Sequence, residues 1–114
     1  MADAPLTPAV FALLLALSGG QRHGYALVTE VEQLTDGVIR LGPGTLYRSL
    51  QRMRVDGLIE ELTDPGEDAD LADRRAERRR SYQITDAGRD AARAETRRLA
   101  ALVDAARQRG LLSR

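Results

Sequence analysis

The sequence predicts a mostly α-helical fold with a small β hairpin and one long C-terminal helix, and three observations predict it. Apolar residues recur at helical spacing in three short stretches before residue 58. Two short runs of alternating character follow, Leu58 to Leu62 and Ser81 to Ile84, as expected of paired strands. After Thr85 a polar stretch with regularly spaced Ala and Leu continues to Gln108 with no Pro and only the early Gly88. At 114 residues the chain suits one compact unit with one appendage. The expected division is residues 1–84 for the compact unit and 85–114 for the C-terminal helix.

Each element has a local reason. Thr7 and Pro8 form an N-cap and first-turn pair, and Val10, Leu13, Leu14 and Leu17 repeat on one face until Gly19-Gly20, so the first helix spans Pro8 to Ser18. Leu27, Val28, Val31 and Leu34 mark a second amphipathic helix over Gln21 to Leu34, with Gly24 allowing a close backbone approach to the first helix. Asp36-Gly37 is a turn signal, and Val38, Ile39 and Leu41 suit a short extended segment. Pro43 and Gly57 then bracket a three-turn helix, the first preset for a helix start and the second suited to the position past a helix end. Leu58 to Leu62 and Ser81 to Ile84 should pair as a hairpin across the long connector 63–80. Thr85 caps the last helix, with Asp86 in the first turn where the helix dipole favours an acid.

Composition excludes several classes of function. The chain has no Cys and one His, which removes disulfides, thiolate metal sites and Cys nucleophiles. No phosphate-binding loop or paired nucleophile and base is present, so neither catalysis nor a metal or other cofactor is expected. The longest apolar run, Ala9 to Leu17, is too short to cross a bilayer, and no basic cluster precedes it. A cytoplasmic location without a membrane partner is expected. Formal net charge is zero, but the neutrality is a cancellation between blocks. Residues 63–73 hold five acids and no base, and residues 74–80 hold five arginines and one acid.

The central helix carries the functional signal. At 100° per residue Leu46, Leu50 and Met53 share one stripe, while Thr45, Arg48, Gln51, Arg52 and Val55 share the opposite side. That side holds Thr, Arg, Gln and Arg with no acid, the side chains that hydrogen-bond base edges and phosphates in a major groove. Arg48, Gln51 and Arg52 are the base-edge candidates, with phosphate contact as the alternative for each Arg. Thr45 and Tyr47 suit phosphate contacts near the helix start, and Tyr47 equally suits a half-buried core position. Arg74, Arg75, Arg78, Arg79 and Arg80 form the strong basic cluster; beside a reading helix they suit phosphate or minor-groove contact. The acidic run before them reads either as a restraint on that cluster or as a solubilising loop. His23 reads as a capping or turn residue.

Helix, helix, short strand, helix, hairpin is the order of a winged helix-turn-helix. Here the residues also carry a resemblance. His23-Gly24-Tyr25, Gly44-Thr45-Leu46-Tyr47, Leu50 with Arg52 and Met53, Asp56-Gly57-Leu58-Ile59, Arg79-Arg80-Ser81-Tyr82, and Ile84-Thr85 with Gly88 together resemble the pattern of PadR-like transcriptional regulators. The resemblance runs over about residues 8 to 105 and fits the short branch of that family, with one C-terminal helix. It implies a homodimer built on that helix and binding to double-stranded operator DNA, commonly as a repressor. Position 42 is Gly where that family often has Ser or Thr, which predicts a looser start to the central helix.

The last helix is longer than a small body needs. Its positions Ala92, Leu99, Leu102 and Ala106 keep a/d spacing, with Val103 beside them, and form the expected dimer seam. Packing on its own domain is the alternative. A small hydrophobic or aromatic effector wedged at such a seam is expected from the resemblance. The competing reading of the whole chain is a winged-helix module that binds another protein and no nucleic acid.

Overall fold

The computed structural model describes residues 5–62 and 80–113. Helix α1 spans Pro8–Ser18, and the Thr7 hydroxyl accepts from the Val10 amide at 3.2 Å, so the expected cap is in place. Ala12, Leu13, Leu14, Ala16 and Leu17 are all buried, because α1 is covered on several sides by later elements. It is the centre of the core.

The chain next departs from the expected helix over 21–34. Arg22–His23 form a two-residue strand, β1, and helix α2 spans only Gly24–Leu34. β1 pairs antiparallel with β3, Ser81–Ile84, placing Arg22 opposite Tyr82 and His23 opposite Ser81. The Gly24 amide adds a bond to the Arg80 carbonyl at 3.1 Å. Arg22 and His23 are thus held by a distant strand, and Gly24, bonded to the residue just before that strand, opens the helix. Gly24 does permit a close approach, but to α3 rather than α1: a Cβ there would lie 3.1 Å from the Tyr47 hydroxyl and 3.2 Å from its ring.

The extended segment expected at Val38 to Leu41 is not a strand. Asp36 and Gly37 take positive φ values of 54° and 80°, and the Ile39 amide donates to the Thr35 hydroxyl at 3.0 Å. This turn sends Leu41 into the core and leaves Val38 exposed. The third strand of the sheet is β1 instead.

Helix α3 spans Pro43–Val55, with Gly42 as a cap residue that supplies no side-chain bond. Leu46, Leu50 and Met53 are each 1% exposed. Burying side chains of this size gains about 1.5–3 kcal/mol apiece, which outweighs the marginal stability of a three-turn helix alone. Its end is a glycine cap. Gly57, at φ 78°, donates to the Arg54 carbonyl at 3.0 Å, and Leu58 donates to Met53 at 2.9 Å, the paired bonds of a Schellman motif.

β2, Ile59–Leu62, pairs antiparallel with β3, setting Glu61 opposite Tyr82 and giving the order β1-β3-β2. Ile59 and Tyr82 face the core. The last helix, α4, spans Asp86–Gln108 as expected. Thr85 fixes its start by accepting from the Gly88 amide at 3.0 Å while donating to the Gly57 carbonyl at 2.6 Å. One side chain ties α4 to the cap that ends α3. Gly88 is buried so tightly that a Cβ would lie 2.1 Å from the Leu58 carbonyl oxygen.

Along α4 the burial changes. Ala92 is partly buried against the core of its own chain, and Glu95 is buried, accepting from the Leu6 amide at 3.1 Å and pairing with Arg98. The Arg98 hydrogen bond leads in holding the Glu95 carboxyl below the usual carboxylate range, against the opposing effect of burial. Further on, Leu99 and Ala106 are half-buried, while Leu102 and Val103 are exposed.

Candidate nucleic-acid interface

The buried stripe of α3 determines what its other side presents. With Leu46, Leu50 and Met53 in the core, Thr45, Arg48, Gln51 and Arg52 are all exposed, and Val55 is 75% exposed at the end of the same face. Arg48 reaches back over Thr45, its Nη2 at 3.5 Å from the Thr45 hydroxyl. Arg52 pairs with Asp56, Nε to Oδ2 at 3.3 Å, so an acid just past the helix adjoins a face that has none within it. Exposed pairs of this kind are worth about 0–1 kcal/mol, too little to hold Arg52 from a better partner.

Tyr47 is half-buried, its ring lying over Gly24 at the start of α2. The core role left open by the sequence thus describes the ring. His23 does not cap α2 with its side chain. It sits on the sheet, where Nδ1 lies 3.1 Å from the Ser81 hydroxyl. The pairing of β1 with β3 brings these two residues together, which no local signal announces.

Of the arginine cluster, Arg80 is described and exposed, with Nε 3.4 Å from Glu61 Oε2. Arg74, Arg75, Arg78 and Arg79, and the acidic run 64–73 before them, lie outside the described residues. Glu61 has a second cationic neighbour that the sequence did not single out: Arg54 Nη1 stands 3.0 Å from Oε1. On a helical projection Arg54 belongs to neither the apolar stripe nor the reading face, which is why periodicity passes over it. The available signal was an acid in the second half of a half-buried strand, which needs cations nearby.

The outward face of α3 thus carries exposed Thr, Arg and Gln side chains, and the end of the same helix is tied to the sheet where Arg54 and Arg80 meet at Glu61. Residues 13–94 match the family described as "Transcriptional regulator PadR-like family". The chain belongs to this PadR-like family. It is 34% identical over 90 residues to an uncharacterized 37.1 kDa protein in transposon TN4556 of Streptomyces fradiae. That match takes in 79% of this chain but 22% of the relative, so the chain spans about a fifth of the relative's length. Two solved structures share the fold. A transcriptional regulator from Clostridium thermocellum superposes with a TM-score of 0.68 at 21% identity, over 88% of this chain and 87% of that one. A PadR family transcription regulator from Clostridium difficile gives 0.67 at 20% identity, over 90% and 97%. The PadR-like chain has, among its described residues, no helix long and apolar enough to cross a membrane.

Proposed function

We propose that this PadR-like chain is a sequence-specific DNA-binding transcriptional regulator, a homodimeric repressor released by a small hydrophobic or aromatic effector. The observation that carries the reading is the outward face of α3: Thr45, Arg48, Gln51 and Arg52 stand free of the core on a helix whose other side is locked in it. Arg48, Gln51 and Arg52 contact base edges, since Arg pairs bidentately with guanine and Gln with adenine. Thr45 and the Tyr47 hydroxyl hold the helix start on phosphate, and Arg74, Arg75, Arg78, Arg79 and Arg80 extend the phosphate contacts along the wing. Residues 1–84 are the DNA-binding domain, and residues 85–114 the dimerisation helix.

Dimerisation is supported by the exposed apolar side chains of the chain's far end. Leu102, Val103, Leu111 and Leu112 are all exposed, and surface of that kind is covered by a partner helix. Ala92, Leu99 and Ala106 complete the seam. A groove of about 370 Å³ between α1 and α4, lined by Leu15, Ile84 and Ala92 together with Ser18, Thr96 and three arginines, offers an effector a partly apolar bed close to it.

The test is binding to the DNA upstream of the chain's own coding region across a salt series, for wild type, Arg48→Ala and Arg52→Ala. Counterion release gives wild type a steep salt dependence. Each variant is expected to lose about 1–3 kcal/mol of operator binding where the contact is a base edge, with melting almost unmoved. Unchanged operator affinity in both variants removes this face from the interface. A wild type whose binding partner is a protein, with no salt-dependent DNA binding, restores the competing class.

A further inference from the structure

Glu61 is a carboxylate placed where a lone charge is costly. Its side chain is 16% exposed, and among the described residues its Oε1 is buried without a directional hydrogen bond. Directly opposite on β3 is Tyr82, 2% exposed, its hydroxyl pushed up to about 12 by burial first and the Glu61 charge second. Among the described residues two cations answer that charge, and they come from different elements. Arg54 leaves the last turn of α3 and Arg80 stands just before β3, so one carboxylate bridges the end of the reading helix and the base of the wing.

The pairing uses little of either guanidinium. Each arginine carries five N–H donors in a fixed fork. Arg54 approaches Glu61 with Nη1 and Arg80 with Nε, and their side chains remain 46% and 44% exposed. Among the described residues, two cations on one anion leave a net positive charge there, with guanidinium donors to spare. We propose that Arg54, Glu61 and Arg80 form a phosphate clamp, in which Glu61 is a positioning residue that aims both guanidiniums at one DNA phosphodiester between reading helix and wing. The clamp rests on the DNA-binding reading above and adds to it a contact that carries no sequence information.

The clamp and plain electrostatics demand opposite signs. Removing an acid beside DNA by itself strengthens binding, because repulsion is lost. If Glu61 instead preorganises two arginines, Glu61→Gln weakens binding despite the added positive charge, since the neutral amide no longer holds either guanidinium in place. The experiment measures binding of wild type, Glu61→Gln, Arg54→Ala and Arg54→Lys to operator and to random DNA across a salt series, with melting recorded for each. Glu61→Gln is expected to bind both DNAs more weakly, with a shallower salt dependence. Arg54→Ala is expected to reduce the slope of log affinity against log salt by about 0.9, the value for one phosphate, with the same fold loss on operator and random DNA. Arg54→Lys, which keeps the charge but not the planar fork, is expected to keep most of the salt slope and still to bind both DNAs more weakly than wild type. The arginine variants decide the matter if Glu61→Gln does not fold. Salt-dependent wild-type binding with an unchanged slope in Arg54→Ala, or equal or tighter binding by Glu61→Gln, overturns the clamp alone. A wild type with no salt-dependent DNA binding overturns both the clamp and the reading it rests on.

Discussion

At the scale of single residues, the buried polar side chains among the described residues draw on distant elements: Ser81 meets His23, and Glu95 accepts from the Leu6 amide besides pairing with Arg98 on its own helix. Tyr82 shows the physical consequence. Its hydroxyl is raised from 10.0 to about 12, by burial first and then by the Glu61 carboxylate opposite, which opposes a second negative charge. A group whose folded pKa is raised stabilises the fold fully below its unfolded value and loses that contribution as pH rises through the folded one. The stability contributed by neutral Tyr82 is therefore present up to about pH 10 and falls away between there and about pH 12. Ultraviolet titration of the folded protein should show a tyrosine step near pH 12, and Tyr82→Phe should remove that step. A titration with no step near pH 12, or one that Tyr82→Phe leaves in place, contradicts the burial argument.

At the scale of elements, the joint between α3, β2 and α4 is tightly packed. Thr85 donates to the Gly57 carbonyl and accepts from the Gly88 amide, while the Thr85 amide bonds to the Leu58 carbonyl at 3.1 Å. Gly88 lies against that same carbonyl, so the direction in which α4 leaves the domain is set by backbone packed on backbone. A methyl group added there meets an oxygen that is already hydrogen-bonded and has no rotamer by which to escape. Gly88→Ala should cost about 1–3 kcal/mol in denaturant unfolding, the usual range for overpacking. An unchanged midpoint would show that the joint yields easily. Gly44 is a useful control, since a Cβ there meets nothing within 4 Å.

At the scale of the whole molecule, the described structure is elongated, 58 by 31 by 21 Å, because α4 continues past the body that covers its first half. The dimer proposed above places Leu102, 56% exposed, and Val103, 43% exposed, against a second copy. Two reading helices related by a twofold axis then address half-sites about one helical turn apart, roughly 34 Å. Leu102→Asp puts a charge into that seam and should give monomers by sedimentation, with much weakened operator binding. Because Leu102 is exposed in the single chain, the monomer itself should stay folded. Wild type sedimenting as a monomer at micromolar concentration removes the dimer and the half-site spacing with it.

What the sequence determined by itself was whatever depends on neighbours a few positions away. Thr7 with Pro8, Pro43 with Gly57, and Thr85 with Gly88 mark the ends of α1, α3 and α4 because capping bonds close within about four residues. The buried stripe of α3, and hence the exposure of Thr45, Arg48, Gln51 and Arg52, follows from a 3.6-residue period that needs no partner to be read. Tertiary structure alone decided the rest. Arg22 and His23 leave the helical pattern because β3, 58 residues beyond His23, offers them a ladder, and two residues are too few for any period to show. Val38 is exposed and Leu41 buried through a turn at Asp36 and Gly37, although the sequence places both in one extended segment. The meeting of Arg54 and Arg80 on Glu61 depends on how a helix end and two strands are stacked. Backbone hydrogen bonds and ion pairs between distant elements exist only after the core has brought those elements together, so the spacing of residues along the chain carries no trace of them.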